Sequence, residues 1–134
     1  MDRSALTIHW SENLSVGIPE VDREHQRFLS LVNELVAFIV EGKGKAKIER
    51  QMRLVIADTI SHFEHEERLF LEFGYPEAAR HAALHSEIRK RLFRTMGEIK
   101  TTHPDSTWVD KALQVRQLLV DHLLQEDAKY RGYL

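Results

Sequence analysis

The sequence contains no cysteine, which removes several kinds of site at once. Without thiols the chain cannot form disulfides, iron–sulfur clusters or thiolate zinc sites, and its composition fits a reducing compartment. The N-terminal stretch has no apolar run of signal-peptide length. The longest apolar run, residues 35–40, is far too short to cross a membrane. We therefore expect a soluble cytoplasmic protein with no membrane insertion.

An excess of charge of one sign is also missing. The formal net charge is −2 and the pI is near 6.4, whereas nucleic-acid binding usually requires a basic surface. One basic cluster is present, and we interpret it as the solvated face of a helix. It consists of Arg89, Lys90, Arg91 and Arg94. We therefore expect no nucleic-acid partner.

Strand-like alternation with period two is absent as well, and the pattern is that of helices. Turn-forming residues interrupt the chain near Gly42, Gly74 and Pro104. The sequence predicts one all-α domain over residues 1–134, an antiparallel up-down-up-down four-helix bundle with an extended N-terminal arm at residues 1–18. The predicted helices cover residues 19–41, 46–73, 76–101 and 107–127.

Histidine is abundant, with eight in 134 residues. In the second predicted helix, His62 and Glu66 lie on the apolar stripe that should face the core. In antiparallel neighbours, residues equidistant from a turn lie at the same height along the bundle. The polar residues of the inner stripes form three such pairs, and each pair is centred on one of the three turns. The pairs are His25 with His62, Glu66 with His81, and His85 with His122.

These six polar side chains are thus predicted to meet in one layer of the core. A lone buried histidine is usually a satisfied core residue, but six polar groups buried without partners would cost several kcal/mol each. One metal site would satisfy them together. The i, i+4 pairs His62 with Glu66 and His81 with His85 fit this interpretation, because each pair lies on one helix face.

The fourth predicted helix offers two acids near the same level, and spacing does not decide between them. Glu126, four residues after His122, is better placed on an ideal helix. Asp127, five residues after His122, lies some 140° away from the direction of that histidine. It can reach the site only if the helix is locally widened, as in a π-bulge, or has already ended.

The donor set restricts the metal. Five imidazoles and two carboxylates are too many for a structural zinc ion, which closes at four ligands, and calcium and magnesium prefer oxygen. An HExxH zinc motif beginning at His65 and Glu66 is excluded, because Leu69 occupies the position of the second histidine. Imidazole with carboxylate suits iron. Five histidines, two bridging carboxylates and a bridging oxide or hydroxide would leave one position open on a pair of six-coordinate iron ions.

From end to end the chain resembles the bacterial hemerythrins (bacteriohemerythrins), a family of non-haem di-iron oxygen-binding proteins. The opening motif comprises Trp10, Val16, Gly17, Ile18, Pro19, Val21, Asp22, Glu24, His25 and Gln26. The motifs that follow comprise His62, Phe63, Glu66, Glu67, His81, His85, His122, Asp127, Tyr130, Tyr133 and Leu134. The resemblance favours Asp127 over Glu126 as the seventh ligand.

The resemblance also implies the role of each ligand. One iron would be bound by His81, His85 and His122, and the other by His25 and His62. Glu66 and Asp127 would bridge the two ions together with an oxo or hydroxo group. O2 would bind at the iron with two histidines. We expect four apolar residues to form the walls of a dry O2 pocket: Phe28, Phe63, Leu119 and Leu123. The same four residues are equally expected simply to pack in the core.

The resemblance therefore implies reversible O2 binding for storage, delivery or scavenging, by a protein that is not an enzyme. We also expect a monomer. Two alternatives remain: an oxygen or redox sensor acting through a partner protein, and a di-iron oxidase. The sensor is disfavoured because the bundle accounts for all 134 residues, and the oxidase because its site would hold mostly glutamates. His9, His65 and His103 fall outside the ligand pattern and are expected on the surface.

Overall fold

The computed structural model describes residues 7–105 and 107–130. Within them the chain forms four α-helices. They are α1 (Pro19–Val40), α2 (Lys45–Phe73), α3 (Ala78–Thr101) and α4 (Thr107–Gln125). Short 3₁₀ turns precede α1 at Glu12–Leu14 and follow α4 at Asp127–Tyr130. There is no β-strand within the described residues. The motif residues Tyr133 and Leu134 lie outside them.

The helices form a closed ring of neighbours. α2 packs against α1 and α3, and α4 packs against α3 and α1. Because each connection is short and consecutive helices pack along each other, neighbouring helices are antiparallel. The prediction of an all-α, up-down-up-down four-helix bundle is confirmed.

Two glycines make the sharp turns that the sequence indicated. Gly42 ends α1 at φ 71° and Gly74 ends α2 at φ 66°, a left-handed conformation that is costly for other residues. In each case the following N–H reaches back into the last helical turn. Lys43 donates to the carbonyl of Phe38, and Tyr75 donates to the carbonyl of Phe70. The helices therefore end at defined positions, which fixes the level at which the next helix starts.

Two helix boundaries differ from the prediction by two residues, the start of α3 and the end of α4. α3 begins at Ala78 rather than near residue 76, because the Ala78 N–H closes a turn onto the carbonyl of Tyr75. α4 is capped by Asp105, whose carboxylate accepts from both the N–H and the hydroxyl of Thr107. α4 ends at Gln125, two residues before the predicted end.

The described part of the N-terminal arm, residues 7–18, is fastened to α1 at two places. Ile8 exchanges two hydrogen bonds with the side chain of Asn33, from its N–H at 3.0 Å and to its carbonyl at 2.8 Å. Asp22 accepts from the Val16 N–H at 2.8 Å and from the hydroxyl of Ser15 at 2.6 Å. The arm is interrupted by a 3₁₀ turn, and the predicted extension over residues 1–6 lies outside the described residues.

The apolar core is divided into two clusters. The larger one fills most of the bundle and includes Phe28, Leu35, Phe63 and Trp108. The smaller one consists of Val16, Val21, Phe70, Tyr75 and Tyr130. A layer of buried polar side chains contacts both clusters. No described helix is long and apolar enough to cross a membrane.

Candidate metal centre

The buried polar layer draws on all four helices. α1 supplies one histidine, α2 a histidine and a glutamate, α3 two histidines, α4 one histidine, and the turn after α4 an aspartate. Each side chain is at least nine-tenths buried. The seven residues are His25, His62, Glu66, His81, His85, His122 and Asp127. The six residues predicted from helix levels therefore do meet, and the resemblance named the seventh.

Three of the histidines form one group with both carboxylates. His81 Nε2 is 2.8 Å from Asp127 Oδ1 and 3.5 Å from Glu66 Oε1. His122 Nε2 is 3.1 Å from Asp127 Oδ1 and also 3.1 Å from His81 Nε2. His85 Nε2 is 3.1 Å from Glu66 Oε1. These ring nitrogens thus face one small volume bounded by a single oxygen of each carboxylate.

The other two histidines form a second group on the opposite side of the same carboxylates. His25 Nε2 and His62 Nε2 are 2.8 Å apart. His25 Nε2 lies 3.2 Å from Asp127 Oδ2, and His62 Nε2 lies 3.3 Å from Glu66 Oε2. Each carboxylate therefore divides its two oxygens between the groups, with Oε1 and Oδ1 toward three histidines and Oε2 and Oδ2 toward two.

This donor set fits a pair of metal ions. Two donors bound in adjacent positions roughly 2.1 Å from one ion are about 3.0 Å apart, close to the separations within each group. Five buried atoms of the layer form no hydrogen bond of standard geometry with any described residue, and three of them face the two groups: His85 Nε2, Glu66 Oε1 and Asp127 Oδ1. Such atoms are costly to bury unless a ligand satisfies them. Imidazole with carboxylate also matches the preferences of iron.

The electrostatics of the layer are those of a preformed cation site. Burial lowers the pKa of His62, but the charge of Glu66 and the hydrogen bonds to Glu24 and Glu66 outweigh it and raise that pKa to about 10. Burial also lowers the pKa of His81, and hydrogen bonds to Asp127 and Glu66 raise it to about 9. The pKa of His85 is lowered, mainly by burial. Positive charge is thus favoured at His62 and His81, next to the two carboxylates, and opposed at His85.

The two carboxylates show the matching shift. Burial raises the pKa of Glu66, yet the charge of His62 and the hydrogen bonds from neighbouring histidines hold it well below its ordinary value. Burial and the nearby charge of Glu66 raise the pKa of Asp127, and its histidine hydrogen bonds reverse the shift, so this pKa is also lowered. Both groups are therefore ionised at neutral pH and available as anionic ligands.

Asp127 and its neighbour Glu126 point to different places. α4 ends at Gln125, and Asp127 opens the 3₁₀ turn that follows, which turns its side chain into the polar layer. Glu126 instead forms a bidentate ion pair with Arg80, at 2.6 and 3.1 Å. Asp127 could reach the layer either through a widened helix or because the helix has ended before it. The structure shows the second case, since α4 ends at Gln125. Spacing along an ideal helix favoured Glu126 because it assumed that the helix continues.

Residues around the layer hold its histidines and carboxylates in place. Glu24 Oε1 accepts from His62 Nδ1 at 2.7 Å, and the same carboxylate binds His65 Nδ1. Tyr130 donates its hydroxyl hydrogen to Glu66 Oε2. Glu67 lies 3.8 Å from His85 Nδ1 and is paired with Arg89. Sequence reasoning assigned none of these roles, although Glu24, Glu67 and Tyr130 stand within the quoted motifs.

His65 corrects one expectation. The sequence pattern put it on the surface with His9 and His103, which are exposed. His65 is instead half-buried and contacts both oxygens of Glu24, at 3.0 and 2.8 Å. It follows His62 by three residues on α2, so both imidazoles project from nearly the same side of that helix. This relationship depends on α1 as well as α2 and could not be found on one helix alone.

The four residues proposed as pocket walls are all buried in the larger apolar cluster. Phe63 stacks on His85 with ring centroids 3.7 Å apart, and its ring centroid is 6.1 Å from that of His62. Phe28 lies 5.5 Å from the ring of His25. The two phenylalanine rings therefore pack against histidines of both groups, while Leu119 and Leu123 lie in the surrounding core.

A four-helix bundle with five imidazoles and two shared carboxylates at its centre defines a poly-histidine metal-binding protein. The sequence family described as the hemerythrin HHE cation binding domain matches residues 16–134. The chain belongs to the hemerythrin family.

Relatives with known names agree with this assignment. A bacteriohemerythrin of Stenotrophomonas maltophilia is 32% identical over 83 residues, or 62% of this chain and 54% of that protein. The alignment thus spans about half the length of that relative. A bacteriohemerythrin of Pseudomonas aeruginosa is 27% identical over 123 residues, or 90% of this chain and 77% of that protein. This chain is bacteriohemerythrin-like.

The fold agrees with that of a solved structure. A crystal structure of wild-type hemerythrin has a TM-score of 0.85 with 22% identity, covering 95% of this chain and 97% of that one. At this identity the likeness establishes the shared fold. It does not extend to the chemistry of the site.

Proposed function

We propose that this protein binds O2 reversibly at a non-haem di-iron centre in the core of the bundle. The observation that carries the proposal is the division of the Glu66 and Asp127 oxygens between a group of three histidines and a group of two. Bridging carboxylates hold two ions close together, and the unequal histidine count makes the two ions different.

The proposed ligands are assigned as the two groups suggest. One iron ion would be held by His81, His85 and His122, the other by His25 and His62, with Glu66 and Asp127 bridging. With its bridging oxo or hydroxo group, the iron pair would supply reversible two-electron chemistry toward O2 at the ion with fewer histidines. Neutral imidazoles favour O–O cleavage less than anionic oxygen donors do, which suits binding rather than oxidation.

The protein side chains have three tasks in this proposal. Glu24 orients His62, which would bind the iron ion that receives O2. Tyr130 fixes the Oε2 oxygen of Glu66 on the same side. Phe28 and Phe63 keep the surroundings apolar, and exclusion of water protects a reduced centre from side reactions. The protein would thus act by holding and shielding the metal pair.

The test is metal analysis combined with absorption spectra of iron-loaded protein before and after deoxygenation. We expect two iron ions per chain and a colour that appears with O2, fades under vacuum and returns over repeated cycles. A single oxidation that only a reductant reverses would overturn the proposal and favour an oxidase. A partner protein that binds only one of the oxygenated and deoxygenated forms would favour a sensor.

Assembly and location stay predictions. We propose a monomer in the cytoplasm, and the cysteine-free composition fits that reducing compartment. Light scattering of the iron-loaded protein should give the mass of one chain. Cell fractionation should recover the protein with the cytoplasmic fraction.

A further inference from the structure

Among the proposed ligands, His62 has an unusual outer contact. Its Nδ1 lies 2.7 Å from Glu24 Oε1. The Nδ1 atoms of His25 and His85, by contrast, form no hydrogen bond with any described residue. A carboxylate that accepts from Nδ1–H fixes both the tautomer and the ring orientation of an imidazole, leaving Nε2 free to bind a metal. His62 is therefore held more firmly than these two histidines.

Glu24 would be a weak anchor if it were alone. Its side chain is 34% exposed, so water competes for its oxygens and several rotamers are open to it. His65 restricts that freedom, because its Nδ1 lies 3.0 Å from Oε1 and 2.8 Å from Oε2 of the same carboxylate. Glu24 is on α1 and both histidines are on α2, so the carboxylate is clamped between two imidazoles across the helix interface.

We propose that His65 is a positioning residue, which holds Glu24 so that His62 presents Nε2 to the metal ion with two histidine ligands. This inference rests on the proposed function, since it takes His62 as a ligand. It adds that a half-buried histidine outside the ligand set controls the affinity of one ion and leaves the other unaffected. His81, His85 and His122 have no contact with Glu24 or His65 among the described hydrogen bonds and ion pairs.

The experiment is a double-mutant cycle on Zn²⁺ binding, measured against a competing chelator. Removing a carboxylate that orients a metal-binding histidine typically costs 10- to 100-fold in affinity, so Glu24→Ala should weaken one of two bound Zn²⁺ ions by about that factor. His65→Ala should weaken the same ion by about threefold to tenfold. In the Glu24→Ala background, His65→Ala should have no further effect, because His65 acts through Glu24.

A second readout separates orientation from a general loss of stability. In the Zn²⁺-loaded protein the Nδ1 proton of His62 should resonate far downfield in the NMR spectrum, as expected for a hydrogen bond to a carboxylate. It should move upfield in both single variants. His65→Asn keeps an amide donor near the position of Nδ1 and should restore both the affinity and the proton shift. His103→Ala is the matched control, because His103 is exposed.

Unchanged affinity in His65→Ala, equal weakening of both Zn²⁺ ions, or additive effects of the two substitutions would each overturn the inference. If Glu24→Ala does not fold, the comparison of His65→Ala with His65→Asn still decides. A wild-type protein that binds two Zn²⁺ ions but shows no reversible O2 colour with iron would refute the proposed function. The same result would leave the positioning role of His65 standing.

Discussion

The hydroxyl of Tyr130, in the turn after α4, donates a hydrogen bond to Glu66 Oε2 on α2, and both side chains are buried. Burial and the charges of Glu66 and Asp127 raise the pKa of Tyr130, so the hydroxyl stays protonated and remains a donor. Tyr130 thereby holds the Glu66 oxygen that faces the group of two histidines.

Tyr130→Phe removes this donor while keeping the ring, which packs 5.2 Å from that of Phe70. A hydrogen bond to a charged group contributes about 1.5–3 kcal/mol. We expect the metal-free variant to lose stability of about that size in urea unfolding at pH 7.5. Iron release to a chelator should also become faster, because Glu66 is free to rotate. Unchanged values in both measurements would contradict the role given to Tyr130.

Adjacent acids give the sharpest test of the ligand set. Asp127→Ala should lower the iron content, because it removes one of the two carboxylates shared by the histidine groups. Glu126→Ala should keep two iron ions per chain, since it removes only the ion pairs with Arg80 and Lys129 at the surface, each an interaction worth roughly 0–1 kcal/mol. Metal analysis of protein loaded under the same conditions decides. Equal iron loss in both variants would exclude this assignment.

Histidines one helical turn apart provide the second comparison. His62→Ala should lose iron in the same way as Asp127→Ala. His65→Ala should retain the full iron content at saturating metal, because the expected effect of His65 is on affinity and not on the number of ligands. Retention of all iron in His62→Ala would mean that the two-histidine group is not a metal site.

The helix levels could be predicted from sequence because turn residues and apolar stripes are local signals. To predict that His25 and His62 lie at the same level, only the rise per residue of a helix and the position of the turn near Gly42 were required. The position of Asp127 was different, since it depends on α4 ending at Gln125, and nothing in the spacing fixes that end. There the resemblance supplied what helix geometry left open.

The contacts around the ligands were the part that local patterns did not predict. Glu24 binds His65 only because α1 and α2 pack in one particular register. A one-residue slip of α1 against α2 would turn Glu24 by about 100° away from both histidines. Such contacts between helices depend on the tertiary packing. Each ligand histidine, by contrast, can be recognised from its position on the apolar stripe of its own helix.

Metal binding should release protons, because the raised pKa values keep two of the ligand histidines protonated in the metal-free protein. His62 has a pKa of about 10 and His81 a pKa of about 9 in the metal-free protein. Both are therefore protonated at pH 7.5, and a metal ion must displace those protons from Nε2. Affinity for Zn²⁺ should rise with pH from 6 toward 9 and level off as pH passes these pKa values. Calorimetric titrations in buffers of different ionisation enthalpy measure the released protons, and binding without proton release would contradict the shifts.

Thr59 carries a buried hydroxyl on the α2 stripe, one turn before His62, and Oγ1 has no hydrogen-bond partner among the described residues. Replacing an unsatisfied polar group by an apolar group of the same shape removes its desolvation cost. Thr59→Val should therefore stabilise the metal-free protein by about 1 kcal/mol in urea unfolding. Thr59→Ala should destabilise it, because it opens a cavity in the core. Destabilisation by Thr59→Val would instead mean that the hydroxyl is hydrogen-bonded in solution, to water or to a neighbouring backbone carbonyl.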